Sequence, residues 1–273
     1  MPLDHSRLLT PAALDALRGE VGDLLIVDVC APERFARAHI PGAVHVAPAE
    51  LVAGTLPATG RMPDRDSLAA LFSRLGLTPA TTVVACDDEG GGWAGRLLWT
   101  LEAIGHTSWK YLDGGVHAWQ ADGYDFTVET SDRSACEVPI ELNSRVIAEI
   151  AQVRAAIDGN GTQVWDARSP AEYTGERVFA NRGGHIPGAI NIDWLELMDT
   201  DRALRLRSDL MPFLTERGID LQRPVITHCQ THHRSGLTWL VAQLLGAEAA
   251  AYHGSWSEWG NRDDLPVRTG QEP

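Results

Sequence analysis

One stretch of the sequence decides the fold: Pro224-Val225-Ile226-Thr227-His228-Cys229, then Gln230-Thr231-His232-His233-Arg234, then Ser235-Gly236-Leu237-Thr238-Trp239-Leu240-Val241. The first segment has the apolar, β-branched composition of a buried strand, and the third begins a helix with Ser235 as its predicted N-cap. Cys229 therefore ends a strand, at a turn where backbone N–H groups and a helix dipole converge. The sequence predicts an α/β fold with a ligand site at this turn.

The same pattern occurs twice along the chain. His39-Ile40-Pro41-Gly42-Ala43 recurs 146 residues later as His185-Ile186-Pro187-Gly188-Ala189. Gly114–Trp119 resembles Gly254–Trp259, which lies 140 residues later. A near-constant offset indicates an internal repeat. The extra residues before the second His-Ile-Pro-Gly-Ala motif predict an insertion at 175–184, on a loop.

Short apolar runs alternate with amphipathic stretches in both copies, which is typical of a parallel sheet flanked by helices. We therefore predict an α/β fold of two tandem, doubly wound domains, residues 1–126 and 144–273, joined by a polar linker at 127–143. The predicted strands are 24–29, 43–46, 81–86, 108–112, 163–166, 189–192, 224–228 and 249–252. The predicted helices include 66–75, 93–104, 144–158, 207–217 and 235–245.

Composition limits the classes of partner and compartment. The 273-residue chain has a net charge of −14, so nucleic acids and anionic membranes are poor candidates as partners. No apolar run reaches the roughly 18 residues of a membrane helix, and the start, Met1–His5, lacks the pattern of a secretory signal. The cysteines include no Cys-x-x-Cys pair, which predicts free thiols in a reducing cytoplasm. They are Cys30, Cys86, Cys136 and Cys229.

Cys229 is the candidate nucleophile. A helix N-terminus and a cationic loop favour the thiolate, which is the reactive form in sulfur chemistry. If this loop lowers the pKa of Cys229, alkylation by iodoacetate stays fast below about pH 7. The alternative is that Cys229 is buried and unreactive, as free cysteines often are. Its position at a strand end, before the polar loop 230–234, favours the catalytic interpretation.

Two motifs carry a family resemblance. Phe35-x-x-x-His39-Ile40-Pro41-Gly42-Ala43 and Tyr252-x-Gly254-Ser255-Trp256-x-Glu258-Trp259 resemble the two signatures of the rhodanese (thiosulfate sulfurtransferase) family. The repeat covers nearly the whole chain, as it does in the tandem-domain rhodaneses. The loop 229–235, Cys-Gln-Thr-His-His-Arg-Ser, resembles the active loop of a bacterial subgroup of these enzymes.

The resemblance implies a ping-pong transfer of sulfane sulfur through a persulfide on Cys229, with no other cofactor. A small anionic donor, thiosulfate, would supply the sulfur, and cyanide or a thiol, including a protein thiol, would accept it. Backbone N–H groups of the active-site loop would surround the persulfide, and Arg234 and Arg168 would bind the sulfonate end of the donor. The loop residues are Gln230, Thr231, His232, His233, Arg234 and Ser235.

The loop departs from two familiar forms. The best-known thiosulfate enzymes carry Arg-Lys-Gly after the cysteine, and mercaptopyruvate enzymes carry Gly-Ser or Gly-Thr followed by Gly. The preference between thiosulfate and 3-mercaptopyruvate is therefore open, and so is the acceptor. Because one site between two domains needs no partner subunit, a monomer is expected.

The first copy lacks the reactive groups of the second. Alignment of strand 82–86 with strand 224–228 places Asp87 opposite Cys229, and Cys30 stands opposite Arg168. A carboxylate cannot form a persulfide, and it repels an anionic donor. The N-terminal domain is therefore predicted to be catalytically silent and to form one wall of the cleft. The triple glycine that follows Asp87 lacks the Gly-Lys-Ser/Thr ending of a phosphate-binding loop.

Other interpretations of the loop are weaker. A metal site at His232 and His233 is not expected, because adjacent histidines rarely face one ion and no carboxylate or second cysteine stands at ligand spacing. Glu172 is expected to be a solvated loop group. Cysteine-dependent phosphatases have His-Cys, five residues and then Arg, whereas Arg234 follows Cys229 after four residues. A non-catalytic, rhodanese-like binding module is the remaining alternative.

Overall fold

The computed structural model describes residues 3–273; Met1 and Pro2, part of the segment in which no secretory signal is predicted, lie outside the described residues. The described chain forms two five-stranded sheets with the same spatial order, and paired strands within each sheet are parallel. The first sheet runs β1 (Leu8–Leu9), β5 (Trp109–Leu112), β4 (Thr82–Cys86), β2 (Leu24–Val29) and β3 (Ala43–Val46). The second runs β6 (Ile147–Ala148), β12 (Ala249–Tyr252), β11 (Val225–His228), β7 (Gln163–Asp166) and β8 (Ile190–Asn191).

Helices flank both sheets, which confirms the predicted doubly wound α/β architecture. Local capping sets several helix starts, as at Thr10 and Asp64, whose side chains accept the N–H groups of Ala13 and Ser67. The helices are α1 (Pro11–Glu20), α2 (Pro32–Arg37), α3 (Arg65–Arg74), α4 (Gly92–Ala103), α5 (Gly115–Ala121), α6 (Ile150–Ile157), α7 (Pro170–Thr174), α8 (Leu210–Glu216), α9 (Arg234–Leu244) and α10 (Ser255–Trp259). A short antiparallel hairpin, β9 (Met198–Asp199) and β10 (Arg205–Leu206), lies between α7 and α8 in the chain.

Strand register makes the two central turns equivalent. In the first sheet Asp28 pairs with Cys86, the last residue of β4, and in the second Asp166 pairs with His228, the last residue of β11. The next residue along the chain is Asp87 in one domain and Cys229 in the other. Both lie at the carboxyl ends of parallel strands, where α/β sheets bind ligands.

Helices α4 and α9 join the two domains. Each follows the central turn of its own sheet, and the two pack against each other in one apolar core that includes Leu97, Trp99, Leu237 and Trp239. Glycines make the close approach possible. A Cβ on Gly236 would lie 2.5 Å from the backbone oxygen of Gly92. The two strand-end turns therefore face each other across a tight helix contact.

Two details of the predicted elements are wrong. The predicted helix 144–158 is divided, because β6 pairs with β12 before α6 begins at Ile150. Ser235 is not an N-cap, because α9 begins at Arg234 and the Ser235 hydroxyl lies 2.7 Å from Nδ1 of His232. The apolar periodicity of the sequence is real in both cases, but tertiary contacts move the helix start.

The segment predicted as a linker packs along the N-terminal domain. Thr127 forms a bridge with His39, Arg133 donates to the backbone oxygen of Leu24 at 3.0 Å, and Cys136 Sγ lies 3.1 Å from the backbone oxygen of Leu77. The domain boundaries stay a prediction. Between residues 3 and 273, no helix has the length and apolar composition needed to cross a membrane.

Candidate active site

Cys229 follows β11 directly and is fully buried. Its backbone N–H donates to the Ser255 hydroxyl at 3.3 Å, and its carbonyl accepts the N–H of Trp256 at 2.9 Å. The next carbonyl, of Gln230, accepts the N–H of Ser257 at 2.9 Å. The motif that begins at Tyr252 therefore fixes the backbone on which the thiol stands.

The surroundings of Cys229 favour its thiolate. Burial raises the pKa of the thiol, but the charge of Arg234, hydrogen bonds from Ser235 and the charge of His233 together bring the pKa below its ordinary value. A buried cysteine without such partners behaves oppositely, since burial raises the pKa of Cys86. Cys229 thus has the electrostatic character of a nucleophile.

Arg234 forms a two-point ion pair with Glu172. The Nη1–Oε2 and Nη2–Oε1 distances are 2.6 and 2.8 Å, and the Ser169 hydroxyl donates to Oε2 at 2.9 Å. Glu172 is only 3% exposed, so the expectation of a solvated loop group is wrong. Burial raises the pKa of Glu172, but its hydrogen bonds with Arg234 bring that pKa below the usual range.

Arg168 is buried behind the loop. Its Nε and Nη2 donate to the carboxylate of Asp166, and Nη2 also donates to the backbone oxygen of Gly184 at 2.8 Å. The guanidinium carbon lies 4.4 Å from the ring centroid of Trp256. Burial raises the pKa of Asp166, whereas the charge of Arg168 and the hydrogen bonds from Arg168 outweigh it and lower that pKa. Binding of a donor by Arg168 stays a prediction.

The two loop histidines have different environments. His232 is buried in the left-handed region of backbone space (φ 54°), and its ring meets that of Trp99 edge-on with the centroids 4.5 Å apart. His233 contacts the carboxylate of Glu89 from the other domain and stacks on Trp93 at a centroid distance of 4.4 Å. Burial takes the pKa of His232 well below its ordinary value, so His232 is neutral at pH 7.

The rest of the loop is held from both sides. Gln230 Nε2 donates to the backbone oxygen of Phe179 at 3.2 Å, in the insertion 175–184. On the other side, a Cβ on Gly60 would lie 2.0 Å from the Thr231 backbone oxygen. Only a glycine permits this approach of the N-terminal domain to the loop.

Asp87 fills the equivalent turn of the N-terminal domain with its own carboxylate. Oδ1 accepts the N–H groups of Glu89, Gly90 and Gly91 at 3.3, 3.1 and 2.9 Å, and Oδ2 accepts those of Gly91 and Ala94 at 3.1 and 2.9 Å. This strand–loop–helix turn therefore forms a nest of backbone donors around an anion. Burial and the nearby charge of Glu89 raise the pKa of Asp87 to about 6.

Three residues of the site were missed by sequence reasoning. Glu172, Glu89 and Arg96 contact the loop from positions 62, 144 and 136 residues away in the chain. One signal was present for Arg96, because it is the single basic residue in the otherwise apolar first two turns of α4. Across the described part of the chain, no group of three or more His, Cys, Asp or Glu side chains is placed to hold a metal ion.

Comparison with known proteins gives the family. The sequence model of the family described as "Rhodanese-like domain" matches residues 10–122 and 149–262, one match in each domain. The chain belongs to this family. It is 44% identical over 261 residues to a thiosulfate sulfurtransferase of Azotobacter vinelandii, with 95% of this chain and 96% of the relative covered. It is 46% identical over 246 residues to a thiosulfate sulfurtransferase of Pseudomonas aeruginosa, with 90% and 91% covered.

The chain is also similar in sequence to a more distant sulfurtransferase and in fold to a solved structure. A 3-mercaptopyruvate sulfurtransferase of Escherichia coli is 30% identical over 244 residues, with 86% of this chain and 85% of the relative covered. The crystal structure of an anaerobic ergothioneine biosynthesis enzyme from Chlorobium limicola superimposes with a TM-score of 0.87 at 22% identity, covering 98% of this chain and 71% of that one. The predicted family, fold and enzyme class, a sulfurtransferase, are confirmed.

Proposed function

We propose that this protein is a thiosulfate sulfurtransferase that carries the sulfane sulfur as a persulfide on Cys229. The observation that carries the proposal is the state of Cys229, a buried thiol at the end of β11 whose pKa is nevertheless below its ordinary value. Relatives named thiosulfate sulfurtransferase match this chain over both domains. A low thiol pKa at a strand end is what a sulfur-accepting nucleophile needs.

The proposed reaction has two steps. The Cys229 thiolate attacks the outer sulfur of thiosulfate, a new S–S bond forms, the S–S bond of thiosulfate breaks, and its electron pair leaves with sulfite. Cyanide or a thiolate then attacks the outer sulfur of the persulfide. The electron pair of that bond returns to the Cys229 sulfur, and thiocyanate or an acceptor persulfide is released. No other cofactor takes part.

Backbone donors of the loop 230–235 would bind the anionic persulfide. The support comes from the N-terminal domain, where the equivalent turn directs N–H groups of Glu89, Gly90, Gly91 and Ala94 to the Asp87 carboxylate. Because α9 begins at Arg234, the positive end of its dipole also faces the sulfur. The persulfide therefore takes the place that a carboxylate occupies in the other copy.

The donor's sulfonate would be bound mainly by Arg234. Its guanidinium is part-exposed, whereas that of Arg168 is 1% exposed and held by Asp166. Arg168 contributes positive charge from behind the loop and keeps Asp166 in place. In this assignment thiosulfate must compete with Glu172 for Arg234, so the carboxylate helps to set which anions the site accepts.

The two domains have different proposed roles. Residues 144–273 form the catalytic domain, 1–126 the silent domain with Asp87 in place of a nucleophile, and 127–143 the linker. We place the protein in the cytoplasm as a monomer. Its four cysteines are all free thiols, as a reducing compartment allows, and both walls of the site come from one chain.

Donor and reaction class are tested together by initial rates of full-length protein with thiosulfate, 3-mercaptopyruvate and p-nitrophenyl phosphate, on wild type and Cys229→Ser. We expect thiosulfate to give the highest kcat/KM, with cyanide as acceptor, and a loss of at least about 1000-fold in the variant. Higher kcat/KM with mercaptopyruvate would reassign the donor. Hydrolysis of the phosphate ester would overturn the class, and a Cys229→Ser protein with full activity would indicate a binding module.

A further inference from the structure

Arg96 lies in α4 of the N-terminal domain and reaches the active-site loop of the other domain. The side chain is fully buried. Nη1 donates to the backbone oxygens of Gly60 at 2.8 Å and His232 at 3.4 Å, and Nη2 donates to that of Leu51 at 2.7 Å. Within residues 3–273, Nε has no hydrogen-bond partner. All three acceptors of this cation are therefore neutral carbonyl groups.

The other arginines at the Cys229 loop are paired with carboxylates. Arg168 pairs with Asp166 and Arg234 with Glu172, and the His233 ring contacts the Glu89 carboxylate. For Arg96, no carboxylate oxygen lies within 4.0 Å in the described part of the chain. The N-terminal domain thus inserts one uncompensated positive charge beside the loop that bears the nucleophile.

An uncompensated buried charge is costly, so it needs a function or a counter-ion. Burial lowers the pKa of Arg96 to about 9, while the charge of a Cys229 thiolate opposes that shift. Arg96 is therefore still a cation at neutral pH. Arg96 reaches the active-site loop through the carbonyl of His232, three residues after Cys229. The buried sulfur of Cys229 is the group of this loop that carries negative charge as thiolate and as persulfide.

We propose that Arg96, supplied by the silent domain, is a second counter-charge, besides Arg234, of the sulfur anion on Cys229. It is a positioning residue, because it acts through its field and through its hydrogen bond to the His232 carbonyl without touching the reacting sulfur. The part of this inference that concerns the persulfide rests on the proposed function. The part that concerns the thiolate does not. The N-terminal domain would then contribute to the reaction although it holds no nucleophile.

The buried histidines around the loop do not supply positive charge. His228 and His232 are buried, and burial lowers the pKa of both imidazoles, so both are neutral at pH 7. Burial also lowers the pKa of His253, whose ring contacts the Glu149 carboxylate. The charged and titratable groups on the elements around the Cys229 loop include Arg61 and Glu89 before α3 and α4, Arg96 on α4, Glu149 before α6, Asp166 on β7, Arg168 after β7, Glu172 on α7, His228 on β11, His232 and His233 in the loop, Arg234 on α9, His253 before α10 and Glu258 on α10.

The test compares Arg96→Gln, which keeps an amide donor but removes the charge, with Arg96→Lys, which keeps the charge but loses the planar fork. The rate of Cys229 alkylation by iodoacetamide is measured against pH on full-length protein, with modified Cys229 quantified by peptide mass spectrometry. Arg18→Met on the exposed side of α1 controls for the change in net charge. We expect the alkylation midpoint to rise by about one pH unit in Arg96→Gln and to stay near wild type in Arg96→Lys and Arg18→Met.

Equal shifts in the glutamine and lysine variants, or no shift in either, would overturn the proposal. If Arg96→Gln does not fold, Arg96→Lys decides alone, because a raised midpoint in that folded variant means that charge is not the property that matters. Failure of the proposed function is recognised separately. A protein that takes up no sulfur from any donor would still report the effect of Arg96 on its thiolate.

Discussion

Glu172 neutralises the positive charge that Arg234 would offer to the donor in the proposed assignment. The two side chains form a two-point ion pair, and the carboxylate is almost completely buried. A carboxylate in this place presents two negatively charged oxygens to the guanidinium, as the anionic end of a donor would. If Arg234 binds the donor as proposed, the donor has to displace or outcompete this internal anion.

Replacement of Glu172 by glutamine is expected to lower the KM for thiosulfate, by roughly tenfold if one charge-assisted pair is released. The amide keeps the shape of the side chain and an acceptor for Ser169, while the charge of Arg234 becomes available. Steady-state kinetics on wild type and Glu172→Gln measure this, with the exposed Glu176→Gln as the matched control. A higher KM would show that Glu172 orients Arg234 and does not mask it.

The reactivity of Cys229 should persist in mild acid. The charge of Arg234 and the hydrogen bonds from Ser235 lower the pKa of Cys229, so its alkylation should extend to lower pH than that of an unperturbed thiol. We expect alkylation of Cys229 to remain fast below about pH 7. Buried Cys86, whose pKa is raised, should be unmodified in the same peptide map. A Cys229 midpoint near that of a free thiol would contradict this account.

Single residues were predictable where the signal is local. Cys229 at the end of a strand, before a cationic loop and a helix, is visible in a dozen consecutive residues. Glu172 and Glu89 are not visible in this way, because their partners Arg234 and His233 lie far away in sequence. The net charge of a site depends on such pairs, so sequence order alone predicted free cations where the fold pairs them.

Among the elements, the contact between α4 and α9 positions the active-site loop. A Cβ on Gly95 would lie 2.4 Å from the backbone oxygen of Gly236, and one on Gly236 would lie 2.5 Å from the backbone nitrogen of Arg96. Atoms of the backbone cannot rotate away as a flexible side chain can. The helices therefore cross at this distance only because both positions are glycine.

Gly236→Ala should destabilise the protein by about 1–3 kcal/mol or more, since overpacking at a backbone contact forces the helices apart. The free energy of unfolding in urea measures the effect. Gly19→Ala in α1 is the control, because a Cβ there meets nothing within 4 Å and alanine favours the helix. Equal stability of Gly236→Ala and wild type would mean that the helices can separate freely.

The hairpin β9–β10 crosses from the C-terminal domain to the N-terminal one. The backbone N–H of Leu206 donates to Asp113 at 2.7 Å, and Arg205 pairs with Asp122 at 2.6 Å. Burial raises the pKa of Asp113 to about 6, against the opposing effects of the Leu206 hydrogen bond and of Arg205. Because this folded pKa exceeds the unfolded value, the ionised carboxylate weakens the fold above about pH 6, and protonation removes the penalty as the pH falls.

Asp113→Asn keeps an acceptor for Leu206 and removes this penalty. The gain in free energy of unfolding of the variant over wild type should be largest near pH 7.5. At pH 4.5 that gain should be smaller, by at most about 3 kcal/mol. Urea unfolding of both proteins at the two pH values measures the change. A difference that does not depend on pH would show that Asp113 is ionised throughout, as an ordinary surface carboxylate is.

Most elements were predictable because a buried parallel strand gives a short apolar run and a helix gives a longer periodic one. The edge strands β1 and β6 have two residues each and leave no such run. The helix predicted from 144 begins later because Ile147 and Ala148 pair with β12. Edge pairing is set by the neighbouring strand, so the local pattern could not locate it.

The whole molecule is a repeat in which one copy supports the chemistry of the other. The N-terminal domain brings Arg96, Glu89 and Gly60 to the loop of Cys229, and its own turn is filled by Asp87. The silent domain was expected to be a wall of the cleft. In the structure, this domain places the charged Arg96 beside the loop. It also supplies Glu89 as the partner of His233 and the backbone at Gly60 against Thr231.

The tandem arrangement was predictable from the offset between the two His-Ile-Pro-Gly-Ala motifs, because a repeated motif implies a repeated fold. The structural role of those motifs is now visible. His39 and His185 stack on Phe35 and Tyr173, with ring centroids 3.8 and 3.7 Å apart. The mutual orientation of the domains was not predictable, since it depends on glycine contacts between α4 and α9 that no periodicity signals.

The central claim is that Cys229 carries sulfur, and intact-protein mass spectrometry before and after treatment with thiosulfate tests it most directly. Wild type should gain the mass of one sulfur atom and lose it on addition of cyanide, while Cys229→Ser should gain nothing. The same gain in Cys229→Ser would assign the sulfur to another cysteine. No gain in wild type with thiosulfate or 3-mercaptopyruvate would contradict the account.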